Sequence, residues 1–272
     1  NIHEVLCPSG PTAWHYGPLL IGLPPNIGYR VETVCGHKGQ GELFHDKQKE
    51  AWDLARRSID AGIPCYGWEL AIPEFYTIHG YDDVGYYYSG AGCDDGAGPK
   101  PWQELGDTGI GAIEVMSVRL CDPDSDEEAV EAAFSAALQH AGNPKEWINE
   151  KYRSGPEGFD LWAKALEGGT ADRFGQGYNG AVWAECRAEA LGFLQQAKER
   201  LAGKADALFD EAAGHYSVVA AKLQQLAELF PFKHETEEGE NVTSPEGAAL
   251  VRDAGAAERR GLQSLGQLVE AL

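Results

Sequence analysis

The sequence lacks the features of a membrane protein or a nucleic-acid-binding protein. No apolar run approaches the ~20 residues of a membrane-spanning helix, and the chain does not open with a basic stretch followed by an apolar run. Basic residues are scarce, with 22 Lys and Arg against 43 Asp and Glu and a net charge of −21, so anionic partners are repelled. We therefore predict no nucleic-acid partner and no membrane partner, and interpret the excess of acid as favouring solubility over a cationic partner.

Paired cysteines are also lacking. The six cysteines form no CxxC pair of the type used for zinc or redox chemistry. Reduced thiols in a cytoplasmic protein are the first interpretation. Three disulfides in a secreted protein are the alternative, although a chain of 272 residues does not need them for stability.

No motif indicates a cofactor. The glycine-rich residues 90–98 lack the Lys and the strand-to-helix context of a phosphate-binding loop. Cys35, His37, His45 and Asp46 are side chains of the types that bind zinc, but their spacing favours a free thiol and loop histidines over a metal site. We predict neither a cofactor nor a metal.

The first 120 residues indicate an α+β region. Residues 1–28 are rich in Pro and Gly, which favours irregular structure. Period-two alternation predicts a strand at 28–35, then a helix follows with Asp46 as its N-cap and Gly62 as its end. Aromatic and β-branched residues predict strands at 64–70, 75–81, 84–89 and 112–118. Asp82, Asp83 and Gly85 predict a hairpin turn, and 93–100 a surface loop.

After Pro123 the pattern is helical to the end. Ser125 and Glu128 form a capping box that begins a helix to about His140, and Ser154 with Glu157 repeats the pattern for a second helix. Three longer apolar stripes follow, at 183–201, 208–230 and from Ser244 to the end. The acidic residues 234–240 are predicted to be a mobile loop. The sequence thus predicts two domains, an α+β domain at 1–121 and a helical bundle at 122–272.

Residues 62–89 carry a resemblance to a known family. They read Gly-x-Pro, strand, short link, strand, Gly-Tyr-Asp-Asp, strand. This resembles the papain-like fold of bacteriocin-processing cysteine peptidases, and more closely the butirosin-biosynthesis acyltransferase N-terminal domain family, with weaker agreement at Ser9 and Gly10. The resemblance covers about a tenth of the chain. It implies an antiparallel sheet facing a helix whose first turn holds a nucleophilic Cys, with a His and an Asp on adjacent strands.

The chain departs from that pattern at the catalytic positions. Glu74 stands where the resemblance places the His, and Ser89 stands near the place of the Asp. No Cys begins an amphipathic helix, since Cys7 is followed by Pro8, so the nucleophile helix is expected upstream of Asn1. A carboxylate raises the pKa of a neighbouring thiol, whereas an imidazolium lowers it. Glu74 therefore cannot activate a thiol, although it can bind an amine or act as a general base.

Three hypotheses follow. The first is a non-catalytic or repurposed papain-like protein that binds a small amine-bearing molecule or a peptide. The second is an acyltransferase or amide hydrolase with a cysteine nucleophile. The third is an assembly protein that forms a homo-oligomer through its C-terminal helices. The candidate catalytic residues are Glu74, His79 and Cys7, and the candidate ligand-binding residues are Trp68, Glu69, Tyr76 and Asp82.

Four of these candidates also have purely structural interpretations. Glu74 is also typical of a solvated turn. Glu69 is also typical of an outward polar position on a strand. His79 is also typical of a buried histidine with its hydrogen bonds satisfied. Asp82 is also typical of a residue that caps its own turn.

Overall fold

The computed structural model describes residues 1–15, 17–233 and 240–272, and it has the α+β architecture that the sequence predicts. The chain forms two compact units. Leu20–Pro123 is the sheet unit, and Asn1–Leu19 together with Asp124–Leu272 is the helical unit. The prediction of two domains, 1–121 and 122–272, means that each part folds by itself. Compact units do not test independent folding, so the two domains stay a prediction. The compact units group the first 19 residues with the helices.

The sheet unit is built on six antiparallel strands in the order β2-β7-β3-β4-β5-β6. The strands of the described chain are β1 (Ile2–His3), β2 (Tyr29–His37), β3 (Cys65–Trp68), β4 (Phe75–Tyr81), β5 (Gly85–Gly90), β6 (Cys93–Pro101), β7 (Ala112–Leu120), β8 (Tyr152–Arg153), β9 (Ala171–Asp172) and β10 (Asn241–Val242). Five strands were predicted in this unit, and β4 has the predicted bounds. The predicted hairpin between β4 and β5 is confirmed.

The prediction of a surface loop at 93–100 is wrong, because these residues form the edge strand β6 on β5. Glycine makes the pairing sterically feasible. Gly98 has φ +128°, and a Cβ there would lie 2.5 Å from the carbonyl oxygen of Tyr86. The pairing is also irregular in register, which glycine tolerates at a sheet edge. A glycine-rich run is therefore compatible with a strand here, although it has no β propensity.

The helices of the described chain mostly begin and end close to their sequence signals, with two exceptions at the predicted N-caps and an earlier start, at Arg173, for the helix predicted from the stripe at 183–201. They are α1 (Gly17–Gly22), α2 (Glu42–Asp60), α3 (Asp126–Ala141), α4 (Gly155–Gly168), α5 (Arg173–Arg200), α6 (Asp206–Leu229) and α7 (Pro245–Ala271). Over the described part of residues 1–28, the prediction of irregular structure holds except for β1, α1, a 3₁₀ turn at Pro24–Ile27 and an isolated bridge at Trp14.

The two exceptions are Asp46 and Ser154. The predicted N-cap Asp46 lies inside α2, which begins a turn earlier after Gly41, because Phe44 packs against the sheet core and extends the helix. Ser154 precedes α4, but its side chain makes no capping bond. Its buried hydroxyl donates to the carbonyl oxygen of His140 at 2.6 Å instead. The capping box of Ser125 and Glu128 is confirmed.

The helical unit is a bundle, as predicted. Helix α6 packs against both α5 and α7, and α4 packs against α7. The apolar stripes of α5, α6 and α7 supply much of the core, for example Leu194, Leu223 and Leu265. The predicted mobile loop at 234–240 lies, except for Glu240, outside the described residues. Over the part of the chain that the structure describes, no helix combines the length and apolarity needed to span a membrane.

Candidate functional site

A cavity of about 360 Å³ lies inside the helical unit, among α3, α5, α6 and α7. Its walls are mainly apolar. Ala133 and Phe134 belong to α3, Ala190 and Leu194 to α5, and Leu262 to α7. Most small-molecule sites are concave, apolar spaces of this size with a few polar groups directed into them.

The sequence creates the cavity by placing small residues where the helices face each other. Trp183, Ala190 and Leu194 lie on one stripe of α5 because they are separated by seven and four residues, about two turns and one turn of a helix. Alanine occupies this stripe at position 190 and the facing surface of α3 at positions 133 and 137. A larger apolar side chain at these positions would fill the space, since protein interiors otherwise pack without voids.

One buried ion pair crosses the cavity wall. The guanidinium of Arg187 on α5 donates from Nε to Oε2 of Glu258 on α7 at 2.9 Å, and from Nη2 to Oε1 at 2.8 Å. The side chain of Glu258 is 3% exposed and that of Arg187 is 21% exposed. Burial lowers the pKa of Arg187, but the Glu258 carboxylate outweighs it, so the net shift is upward. Arg187 is therefore protonated at neutral pH.

Arg187 is also fixed by an aromatic neighbour. Its guanidinium carbon lies 5.0 Å from the centre of a Trp183 ring, a cation–π distance. Nη1 of Arg187 makes no hydrogen bond to any residue within the described ranges, although Arg187 lines the cavity. The ion pair thus holds the guanidinium in place and leaves Nη1 as an unused donor of a residue that lines the cavity.

Uncharged polar side chains also line the cavity, among them Asn1, Tyr216 and His140. Tyr216 on α6 is 5% exposed, and its pKa is raised by burial and by the Glu258 charge. Its hydroxyl makes no hydrogen bond to the residues described by the structure. His140 on α3 has a buried Nε2 that likewise lacks a partner among those residues. Burial is the main cause that lowers the pKa of His140 to about 4. Phenol and imidazole are therefore both neutral at pH 7.

The candidates predicted from the sequence lie elsewhere, with six of the seven in the sheet unit. Glu74 is exposed in the link before β4, which agrees with its solvated-turn interpretation. His79 is exposed on β4, so the interpretation as a buried, satisfied histidine is wrong. Tyr76 and His79 point to opposite faces of β4, because side chains alternate along a strand. Cys7 belongs to the helical unit, where its carbonyl oxygen accepts from Nδ2 of Asn179 at 3.1 Å.

Glu69 differs most from its sequence interpretation. It was expected as an outward polar residue on a strand, but it follows β3 and is 5% exposed. Its Oε2 accepts from the Thr108 hydroxyl at 2.7 Å. Its φ of +59° is unusual for a residue other than glycine, and such backbone strain occurs often at functional sites. Sequence alternation could not show this, because the residue lies where the chain leaves the strand.

The hydroxyl of Tyr76 and the carboxylate of Asp82 are occupied by contacts within the fold. The Tyr76 hydroxyl accepts from the N–H of Ile72 at 3.1 Å and donates to the carbonyl oxygen of Ala91 at 3.0 Å. Asp82 caps its turn as predicted, accepting from the N–H of Val84 at 2.8 Å. Its carboxylate also accepts from the N–H of Gly85 and from the hydroxyl of Tyr87. These hydrogen bonds lower the pKa of Asp82. Such contacts favour structural roles for both residues.

Trp68 and the metal-type residues complete the sequence candidates. Trp68 is half-buried on β3, with its ring centre 5.0 Å from that of Phe75. Cys35 and His37 lie on β2, and His45 and Asp46 in α2. Within the described ranges, no three His, Cys, Asp or Glu side chains are grouped so that they could hold a metal ion. All six cysteines are described, and all are free thiols, so the structure contains no disulfide.

The cavity was missed by sequence reasoning, although one signal was present. On α7 the apolar stripe includes Leu262 and Leu265, and a step of four residues back from Leu262 reaches Glu258. A carboxylate on a buried stripe is almost always paired, which predicts a cationic partner on a facing helix. Arg187 stands in the corresponding position on α5, four residues after Trp183.

Comparison with protein-family models finds no matching family, and comparison with curated proteins finds no match either. The resemblance carried by residues 62–89 therefore stays a prediction.

Proposed function

We propose that the helical unit binds a small, mostly apolar molecule in its cavity. The observation that carries the proposal is a cavity of about 360 Å³ whose apolar walls surround a fixed, buried ion pair. A buried ion pair contributes little net stability to a fold, because the free-energy cost of removing both charges from water offsets their attraction. Use of its remaining donor by a ligand gives the pair a function.

Small-molecule binding was also the first hypothesis from the sequence, but at a different site. Binding of a small molecule was predicted around Glu74, whereas the cavity lies in the other unit. An amine is poorly matched to the cavity, because both oxygens of Glu258 already accept from Arg187. Recognition of an amine or a peptide by the sheet unit, as residues 62–89 suggest, remains a separate proposal.

Cysteine-dependent acyl transfer is kept only as the second proposal. Burial raises the pKa of Cys65 to about 12, so this thiol is protonated at neutral pH and is a poor nucleophile. The thiol of Cys186 is exposed and lines the cavity, so it is the candidate that an acyl probe would test first. A reaction rate equal to that of free cysteine would remove this proposal.

The binding proposal is tested by titration of the protein with 2-acetonaphthone, followed by calorimetry. Saturable binding with one site per chain is expected. Ala190→Phe places an aromatic ring in the cavity and is expected to abolish binding. Ala188→Phe, on the exposed side of the same helix, is the matched control and is expected to bind as the wild type does. Equal binding by both variants would reject the proposal, and so would failure of the wild type to bind 2-acetonaphthone and every other probe with the naphthalene skeleton.

A further inference from the structure

The polar groups of the cavity select among ligand classes. We infer that its ligand is an uncharged molecule with a hydrogen-bond-accepting carbonyl, such as a ketone or a carboxamide, on an apolar ring skeleton. The inference rests on the proposed function, since it specifies the chemistry of the molecule that occupies the cavity.

Two donors define the accepting end of the ligand. Nε and Nη2 of Arg187 are used by Glu258, whereas Nη1 has no acceptor among the described residues. The hydroxyl of Tyr216, a residue that is 5% exposed, likewise has no acceptor among the described residues. Both side chains line the cavity. A carbonyl oxygen has two lone pairs, so it can accept a hydrogen bond from either of these donors or from both.

The ion pair in the cavity wall disfavours a charged ligand of either sign. The positive charge of Arg187 is already neutralised, because Glu258 accepts two hydrogen bonds from its guanidinium. A bound carboxylate would bring an uncompensated negative charge next to Glu258, and the chain carries a net charge of −21. A bound ammonium would lie against the guanidinium, with no free carboxylate among the described cavity residues to receive it. A neutral acceptor meets neither penalty.

The walls define the remainder of the ligand. Trp183, Phe134 and Phe193 present aromatic surface to the cavity, which favours a flat ring system. An apolar protein cavity of about 150 Å³ holds one benzene ring. The volume of about 360 Å³ therefore accommodates a two-ring skeleton that carries a carbonyl substituent.

The test uses four probes with one skeleton: naphthalene, 2-acetonaphthone, 2-naphthoate and 2-naphthylmethylammonium. Calorimetric titration of the wild type at pH 7 is expected to give the ketone at least tenfold tighter binding than the hydrocarbon and than either ion. Equal affinity of naphthalene and the ketone would overturn the role of the two donors. Tighter binding of the naphthoate or of the ammonium would overturn the charge argument.

Variants assign the effect to the named donors. Tyr216→Phe is expected to lower the ratio of ketone to hydrocarbon affinity severalfold. The double variant Arg187→Met with Glu258→Leu removes both charges together and is expected to bring that ratio close to one. An unchanged ratio in Tyr216→Phe overturns the inference even if the double variant does not fold. Failure of all four probes to bind the wild type would reject the proposed function itself, whereas binding without ketone preference rejects only this inference.

Discussion

Arg187 and Glu258 are 71 residues apart in the sequence and meet through two parallel hydrogen bonds of 2.9 and 2.8 Å. They connect α5 to α7 beside a cavity that the apolar side chains of these helices leave open. The pair therefore fixes the position of a guanidinium in a wall that is otherwise apolar, and the following predictions test its surroundings.

Removal of one partner of the pair is expected to destabilise the protein strongly. Glu258→Ala leaves the Arg187 charge buried without compensation, which costs about 3–5 kcal/mol of unfolding free energy. The double variant Arg187→Met with Glu258→Leu removes both charges. Its free energy of unfolding is expected to lie within about 1 kcal/mol of the wild-type value or above it. Urea-induced unfolding at pH 7 measures both. A loss below about 1 kcal/mol in Glu258→Ala would show that the pair is solvated.

The close approach of the Tyr216 ring is expected to leave no space for a side chain at Gly261. A Cβ at Gly261 would lie 2.8 Å from Cε2 and 3.1 Å from Cδ2 of that ring, so Gly261→Ala is expected to cost about 1–3 kcal/mol. Gly266, on the same helix, has no atom within 4 Å of the equivalent position. Gly266→Ala is therefore expected to stabilise by about 0.5–1 kcal/mol through helix propensity. Thermal unfolding of both variants checks this, and a stabilising Gly261→Ala would contradict the packing of Tyr216.

The stability of the protein is expected to fall as the pH drops below about 6.5. The pKa of His140 is lowered from 6.5 to about 4 in the folded protein, so between these values the unfolded chain binds the additional proton. Stability therefore decreases with falling pH in this window, by about 2 kcal/mol between pH 6.5 and 5, and the effect levels off below about pH 4.

The variant His140→Phe removes this group and keeps a ring beside Trp14. Urea-induced unfolding between pH 7 and 5 is expected to show a smaller pH dependence than in the wild type. The same slope in both proteins would mean that His140 is solvated and does not contribute.

The Thr108 hydroxyl is expected to stabilise the sheet unit. It donates to the buried Glu69 at 2.7 Å and accepts from the N–H of Gly111 at 3.0 Å. Thr108→Val keeps the shape but removes both bonds, which is expected to cost about 1–3 kcal/mol. Thr77→Val, on the exposed face of β4, is the matched control and is expected to change stability by less than about 0.5 kcal/mol. Equal effects of the two substitutions in urea-induced unfolding would contradict the role of Thr108.

The sequence predicts those parts of the fold that depend on local interactions. The bounds of β4 follow from aromatic and β-branched residues, and the start of α3 follows from Ser125 and Glu128. The strand β6 could not be predicted, because its pairing with β5 depends on the close approach of backbones at Gly98 rather than on β propensity.

The candidate site was harder to predict than the fold. The apolar stripe of α5 was identified, but the same pattern describes a filled core and a cavity wall equally well. The difference arises from the facing helices, where alanine at positions 133 and 137 leaves space. The roles of Glu74 and His79 rest on a resemblance in one short segment and remain predictions.

Binding in the cavity is tested by a crystal structure of the protein soaked with 2-acetonaphthone. We expect difference density for the two rings between α3 and α5, with the ketone oxygen within hydrogen-bond distance of Nη1 of Arg187. A cavity closed by inward movement of the helices, or one that contains only ordered water under the same conditions, would contradict it.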